Sequence, residues 1–135
     1  MDIQEIRREL GRLSKSQIEK LLTNLDHVTF PFKINMSFLR YGNHPITIPK
    51  EFYSFLNLHR IPISQNMKIS FPDGSTSICY IYQGKAGWGP FYQIKLRHPY
   101  AGTGIGVSQF RQGDHIKVEL LKTENGARIQ LSRPE

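Results

Sequence analysis

The chain has 135 residues, a length typical of a single domain, and its 39% hydrophobic and 21% charged residues indicate a globular protein. A single cysteine, Cys79, excludes an internal disulfide framework and a multi-cysteine zinc site. No apolar run is long enough to span a bilayer and the N-terminus lacks the apolar core of a signal peptide, which predicts a soluble cytoplasmic protein without membrane contact. The 18 basic residues against 11 acidic ones give a net charge of +7 that requires an explanation.

The first 26 residues predict helix. Apolar residues follow one helical stripe from Ile3 to Leu13 and a second from Ile18 to Leu25. Ser14 and Gln17 have the spacing of a capping box between the two stripes. We therefore expect a helical N-terminal extension over residues 1–26, followed by a domain over 27–135. The order of helix, turn and second helix in this extension is similar to a helix-turn-helix. Its zero net charge, however, favours a role in packing or oligomerisation over DNA recognition.

From Val28 onward the pattern changes to strands. Alternating apolar residues predict a strand over Val28–Leu39, and turn residues follow it at positions 40–44. A short strand over Pro45–Lys50 then leads into a predicted helix, Glu51–Leu58.

The remaining residues predict hairpins. Predicted strands over 66–71 and 75–82 flank a turn at Pro72-Asp73-Gly74, and a glycine-rich loop over Gly84–Pro90 precedes a strand over 91–96. An irregular stretch follows, and a last hairpin joins 115–121 to 127–131 through Asn125-Gly126. About seven short strands with one or two short internal helices predict a mainly β fold, either a barrel or a sandwich.

Enzyme signals are weak in this sequence. Asp73 followed by Lys85 is faintly similar to the pattern of metal-dependent nucleases, but the second carboxylate is missing and Asp73 fits a turn. The five histidines have no metal-ligand spacing, and Gly102–Gly106 lacks the dinucleotide-binding pattern. We predict no catalytic residue, no metal and no cofactor, with a small metal-dependent nuclease as the alternative.

The positive charge is concentrated in part of the chain. The first 26 residues hold five basic and five acidic residues, so the whole excess of +7 belongs to residues 27–135. Two stretches, 27–50 and 74–113, contain no acidic residue at all. Clustered cations of this kind favour a polyanionic partner over a generally basic surface.

One loop in each acid-free stretch has the residue types that read nucleic acid. Such loops combine cations for phosphates, amides or arginine for base edges, and an aromatic ring for stacking. The first loop offers Arg40, Tyr41, Asn43 and His44; the second offers Gln83, Lys85 and Trp88 and continues into Tyr92 and Gln93. The other interpretation of Trp88 and Tyr92 is that they are core aromatics.

Three short motifs carry a resemblance to a known family. They are Ile46–Phe52 (ITIPKEF) before a helix, Gly87-Trp88-Gly89, and Phe110–Asp114 (FRQGD) before an apolar strand. In this order, over Val28 to Leu131, they resemble the B-three-type DNA-binding pseudobarrel of plant transcription factors and of the target-recognition domains of some bacterial restriction endonucleases. The first motif also resembles swapped-hairpin regulators and antitoxins, in which the Gly-Asp turn follows much sooner.

The resemblance implies a seven-stranded open pseudobarrel that holds duplex DNA between two arms in the major groove. The two loops would be those arms, and the cations around them would contact phosphates: Lys33, Lys50, Lys95 and Arg97. The second arm is short and poor in arginine, and the helical extension is not part of the family pattern.

The sequence therefore predicts a sequence-specific double-stranded DNA-binding domain without catalysis of its own. It resembles the target-recognition part of a bacterial restriction endonuclease, in which a fused or associated domain would supply the nuclease. An antitoxin-like or regulatory interaction module is a further alternative, and binding of single-stranded nucleic acid or RNA stays open.

Overall fold

The computed structural model describes Arg8 and residues 26–97, 102–103, 105–124 and 126–134. The predicted N-terminal extension lies outside the described residues, except for Arg8 and Asp26. In the part that is described, no helix has the length and apolar character needed to cross a membrane.

The described residues form one sheet of eight strands with short helical segments between them. The strands are β1 His27–Lys33, β2 Ile46–Thr47, β3 Met67–Ser70, β4 Thr76–Ala86, β5 Gly89–Leu96, β6 Gly102–Thr103, β7 His115–Thr123 and β8 Gly126–Ser132. Helix α1 covers Met36–Arg40 and helix α2 covers Tyr53–Leu58, with 3-10 turns at Lys50–Phe52 and Gly106–Gln109. The predicted mainly β fold with short internal helices is confirmed.

The order of the strands gives a nearly closed barrel. Neighbouring strands follow the order β1-β7-β8-β3-β4-β5-β2, and β6 pairs with β4 beside this path. All of these pairs are antiparallel except β3 with β8, which is parallel. The two free edges of the seven-stranded path are β1 and β2, so the predicted open pseudobarrel is confirmed. Pro31 lies on β1, an edge strand, where its missing N–H removes no ladder bond from the sheet interior.

Phenylalanines and isoleucines fill the interior of the barrel. Strand residues alternate between the interior and the outer face, as Met67 and Ile69 on β3 and Cys79 and Ile81 on β4 show. Five phenylalanines are among the largest fully buried side chains: Phe30, Phe38, Phe52, Phe55 and Phe71. The helical segments contribute Phe38, Phe52 and Phe55. Burial of each such side chain stabilises the fold by roughly 1.5–3 kcal/mol.

The predicted strand over Val28–Leu39 is wrong beyond Lys33. Asn35 ends the extended segment as an N-cap, because its side-chain oxygen accepts a hydrogen bond from the Phe38 N–H at 2.8 Å. The next residues form helix α1, in which Phe38 comes four positions after Ile34 and both side chains are buried. The apolar residues of this stretch fit both the period of a strand and the period of a helix. The N-cap Asn35 marks where the strand ends and the helix begins.

The chain between β1 and β2 closes the opening of the barrel. On one side, the Ile34 N–H donates to the Asp114 carbonyl at 2.8 Å, and the Gly113 N–H donates to the Ile34 carbonyl at 2.9 Å. On the other side, the Leu96 N–H donates to the Asn43 carbonyl at 2.7 Å. Residues 34–45, called the bridging segment below, are thus fixed both to the start of β7 and to the end of β5.

The predicted loop over Gly84–Pro90 is instead part of a hairpin. Strand β4 continues to Ala86 and β5 begins at Gly89, so only Gly87 and Trp88 lie in the turn between them. Gly89 has a φ of +132°, a conformation that favours glycine. The consequence is that Trp88 lies at the tip of a paired hairpin and not within a long flexible loop.

The turn predicted at Pro72-Asp73-Gly74 is present between β3 and β4. Gly74 has a φ of +88°, and the Asp73 carboxylate accepts hydrogen bonds from the backbone N–H of Ser75 at 3.0 Å and from its hydroxyl at 2.5 Å. The side chain of Asp73 therefore organises its own turn.

Candidate nucleic-acid interface

The first predicted arm is the C-terminal half of the bridging segment. Arg40 is the last residue of helix α1, and the following residue, Tyr41, is 61% exposed. Both side chains project from a backbone that is hydrogen-bonded on either side, because the Tyr41 N–H donates to Ser37 and the His44 N–H donates to Tyr41. This arm therefore presents two large exposed side chains from a fixed backbone.

His44 has a defined orientation and a defined tautomer. Its φ is +46°, its ring packs against Phe38 at 5.5 Å between centroids, and Nδ1 lies 2.6 Å from the Phe38 carbonyl oxygen. A carbonyl oxygen only accepts, so Nδ1 donates this hydrogen bond. In the neutral ring, Nε2 is therefore an acceptor, suited to an exocyclic amino group of adenine or cytosine.

Asn43 lies half-buried at the base of the arm. Its backbone carbonyl holds Leu96, while its side-chain Oδ1 is buried and has no hydrogen-bond partner among the described residues. An unpaired buried acceptor is uncommon and destabilising, so a ligand that lets this amide turn and pair would recover free energy.

The second predicted arm is divided between two faces of the β4–β5 hairpin. Successive side chains of a strand point to opposite faces, and paired residues share a face. Gln83 pairs with Tyr92, so the exposed Gln83 and Lys85 project from the face that is continuous with the barrel interior. Gln93 pairs with Tyr82 and lies with Lys95 on the outer face.

The structure places Tyr92 in the core. Its side chain is only 7% exposed and packs edge-on against Tyr53, with 4.8 Å between ring centroids. A base cannot contact this ring while it is packed there. Trp88, in contrast, is 60% exposed at the tip of the hairpin.

One open groove brings residues of both predicted arms together. It has a volume of about 590 Å³, and its lining residues come from helix α1, from the rest of the bridging segment and from β5: Ser37, Tyr41, Gly42, Asn43, Pro45, Gln93 and Lys95. We call it the arm groove. Its walls combine an exposed aromatic ring, two side-chain amides and an ammonium group, the residue types that contact base faces, base edges and phosphates.

Three of the four predicted phosphate-binding cations lie against aromatic rings. Lys95 Nζ is 3.6 Å from the centroid of Tyr82, and Lys50 Nζ is 4.1 Å from the centroid of Trp88. Such pairs hold a cation in place without neutralising its charge.

Arg97 is the third of these cations, and it is also used within the fold. Its guanidinium lies 4.0 Å from the Tyr80 centroid and donates to Asn66 Oδ1 at 2.6 Å and to the Ser64 carbonyl at 2.5 Å. Lys33 is separate from the other three, on β1 opposite His115, at the other edge of the sheet.

Sequence reasoning missed Tyr80, Tyr82 and Phe91 as surface aromatics. All three are half-buried on the outer face of the hairpin. A signal was available, because the two tyrosines alternate with the buried residues Cys79 and Ile81 and therefore share one face. Their pairing with the cations of β5 depends on the register between strands, which the alternation does not give.

The residues of the nuclease alternative are far apart. Asp73 lies in the turn before β4, and Lys85 lies at the other end of that strand, about 30 Å along the chain direction at ~3.3 Å per residue. The Ser75 hydroxyl, the Ser75 N–H and the Gln109 amide donate to the Asp73 carboxylate and lower its pKa. Within the described ranges, no three residues among His, Cys, Asp and Glu are grouped so that they could hold a metal ion.

No protein-family model matches this chain, and no curated protein matches it.

Proposed function

We propose that this protein binds double-stranded DNA in a sequence-specific manner through the arm groove and the tip of the β4–β5 hairpin. The observation that carries the proposal is the arm groove itself, because it joins Tyr41 and Asn43 of one acid-free stretch to Gln93 and Lys95 of the other. Residues some fifty positions apart thereby form one basic surface with base-reading side chains.

The chemistry of these side chains favours the major groove of a duplex. Asparagine and glutamine amides match the donor and acceptor pair of adenine, and arginine matches the two acceptors of guanine. In this proposal Arg40, Asn43, His44 and Gln93 read base edges from one side, and Gln83 and Lys85 read them from the other face of the hairpin. Lys50, Lys95 and Arg97 contact phosphates.

The resemblance to B-three-type pseudobarrels extends the proposal to a biological setting. In that setting the domain recognises the target of a bacterial restriction endonuclease in the cytoplasm, has no catalysis of its own, and works with a nuclease domain that is fused to it or associated with it. The two short α-helices and the nearly closed seven-stranded barrel support this extension, as does the position of the arms between β1 and β2 and between β4 and β5.

Selection from a randomised duplex pool at ~0.1–0.2 M salt tests the proposal, because specific contacts dominate once counterion release is reduced. We expect one enriched sequence, and we expect Arg40→Ala to weaken discrimination at one position by about 1–3 kcal/mol. Arg128→Ala is the matched control, since it removes the same charge from an exposed position on β8.

Two results would contradict the proposal. One is a selected pool without any enriched sequence. The other is unchanged affinity of both Arg40→Ala and Lys85→Ala for every duplex tested, since each arm then contributes nothing.

A further inference from the structure

The outer face of the β4–β5 hairpin carries a row of aromatic rings with cations above them. The rings are Trp88, Phe91, Tyr82 and Tyr80, and the cations are Lys50, Lys95 and Arg97. We call these seven residues the aromatic row. From it we infer that the protein also binds a single-stranded segment of nucleic acid, a substrate class different from the duplex proposed for the two arms.

Strand register places the members of the row on one face. Tyr80 pairs with Lys95, and Tyr82 pairs with Gln93, so each cation of β5 lies diagonally across from the ring it covers. Ring centroids are 6.1 Å apart between Tyr82 and Phe91 and 6.5 Å apart between Phe91 and Trp88. From Phe91 to Arg97 the row follows β5 for about 20 Å at ~3.3 Å per residue.

Gly84 makes the row continuous. It pairs with Phe91, and a Cβ built on Gly84 would lie 2.1 Å from Phe91 Cζ. The Phe91 ring therefore lies directly on the backbone of Gly84, and from that position it connects Tyr82 to Trp88. Any side chain at position 84 would push this ring out of the row.

The cations on the rings are suited to exchange with phosphates. A cation–π contact on a half-exposed ring is weak, whereas a phosphate oxygen forms a charge-assisted hydrogen bond with the same ammonium or guanidinium group. A phosphate of the ligand would draw Lys95 away from Tyr82, and Lys50 away from Trp88. The uncovered ring face is then free to stack against a base.

An unpaired strand satisfies this arrangement and a duplex does not. Bases within a duplex stack on one another and present only their edges, whereas unpaired bases present their faces to aromatic side chains. No acidic residue occurs between positions 74 and 113, so the hairpin has no carboxylate that would repel the phosphates.

The test is a titration of the full chain with single-stranded (dT)12, with Trp88 fluorescence as the readout. Trp88 is the only tryptophan, and it lies at one end of the row, so stacking of a base changes its emission directly. We expect quenching on binding, and we expect Tyr82→Leu to weaken affinity at least fivefold. Leucine retains the apolar bulk and removes the ring. Arg128→Ala on β8 is the control and should bind (dT)12 like the unchanged protein, and circular dichroism checks that each variant is folded.

The outcomes separate this inference from the proposed duplex binding. If the selected duplex binds and (dT)12 does not, the aromatic row is not a single-strand site and the duplex proposal stands. If (dT)12 binds with Trp88 quenching and no duplex is selected, the aromatic row is a single-strand site and the duplex proposal fails. A folded Tyr82→Leu variant with unchanged affinity for (dT)12 would also overturn the inference. A parallel titration with (rU)12 shows whether the site accepts RNA, and binding there with Trp88 quenching supports the inference too.

Discussion

The principal cations of the proposed interface lie against aromatic rings. Lys50, Lys95 and Arg97 each lie within about 4 Å of a ring centroid. A carboxylate partner would cancel most of the field of such a cation, while a ring orients it weakly and does not neutralise its charge. The side chains of the hairpin are therefore arranged so that positive potential extends into solvent.

Cys79 allows a test of the core at the level of one residue. It is fully buried, and desolvation raises the pKa of its thiol from 9.0 to about 12. The unfolded chain releases this proton above pH 9 and the folded chain does not, so the thiol's contribution to stability is complete below pH 9 and is lost as pH rises toward 12. By pH 10 the loss should reach roughly 1–2 kcal/mol.

The comparison with Cys79→Ala isolates this effect. At pH 7 we expect the unchanged protein to be the more stable of the two by about 1 kcal/mol, because the substitution leaves a small cavity. Denaturant unfolding at pH 7, 9 and 10 should show this advantage shrinking and then reversing. A constant difference between the two proteins over that range would show that the thiol ionises equally in the folded and unfolded chains.

At the level of elements, the β4–β5 hairpin serves two surfaces at once. Its outer face carries the aromatic row, and its other face carries Gln83 and Lys85 of the proposed duplex-binding arm. Lys50, Lys95 and Arg97 serve both proposals, whereas Tyr82 belongs to the row alone and Gln83 to the duplex-binding arm alone, on opposite faces of β4. The two proposed binding activities can therefore be separated by mutation within a single hairpin.

Gly84→Ala is predicted to disrupt the aromatic row and to spare the fold. The new Cβ displaces the half-exposed Phe91 ring, which can swing into solvent, so we expect the free energy of unfolding to change by about 1 kcal/mol or less. The affinity for (dT)12, measured by Trp88 quenching, should fall.

Gly87→Ala is the matched control for this change. A Cβ at Gly87 meets no atom within 4 Å, and its φ is not positive, so the variant should keep both its stability and its affinity. Equal affinities of the two alanine variants would contradict the role given to Phe91.

The elements also show what the sequence could and could not predict. The turn at Asp73 was predictable because the carboxylate and Gly74 act within four residues. Helix α1 was not predictable, since the apolar spacing over residues 28–38 suits a strand and the change from strand to helix depends on the N-cap Asn35. For the site, the acid-free loops could be located from charge alone. The burial of Tyr92 and the position of Lys95 over the Tyr82 ring could not be predicted, because they depend on the register between strands and not on a local sequence pattern.

At the level of the whole molecule, charge and core occupy the same part of the chain. Residues 27–135 hold the entire excess of +7, and every buried residue of the described core lies between Val28 and Leu131. Among the described residues, the backbone hydrogen bond that extends furthest toward the N-terminus runs from the Lys122 N–H to the Asp26 carbonyl at 2.8 Å. The domain boundary predicted near residue 26 can therefore be tested by truncation.

A variant that begins at Leu25 is expected to fold and to unfold cooperatively on heating, because it keeps β1 and the Asp26 contact. A variant that begins at Lys33 is the control. It loses Val28 and Phe30 from the core and most of the pairing between β1 and β7, so it should not fold. Thermal unfolding followed by circular dichroism distinguishes the two. Loss of cooperative unfolding in the longer variant would place the boundary further toward the N-terminus.

The bridging segment has a consequence for how ligand binding and stability are linked. The same twelve residues that carry Arg40, Tyr41 and Asn43 also join the start of β7 to the end of β5 across the opening of the barrel. A ligand that restrains this segment also restrains the two free edges of the sheet, where amide protons would otherwise exchange fastest with solvent. Occupation of the arms should therefore slow amide hydrogen exchange in β1 and β2, including at positions that no ligand touches.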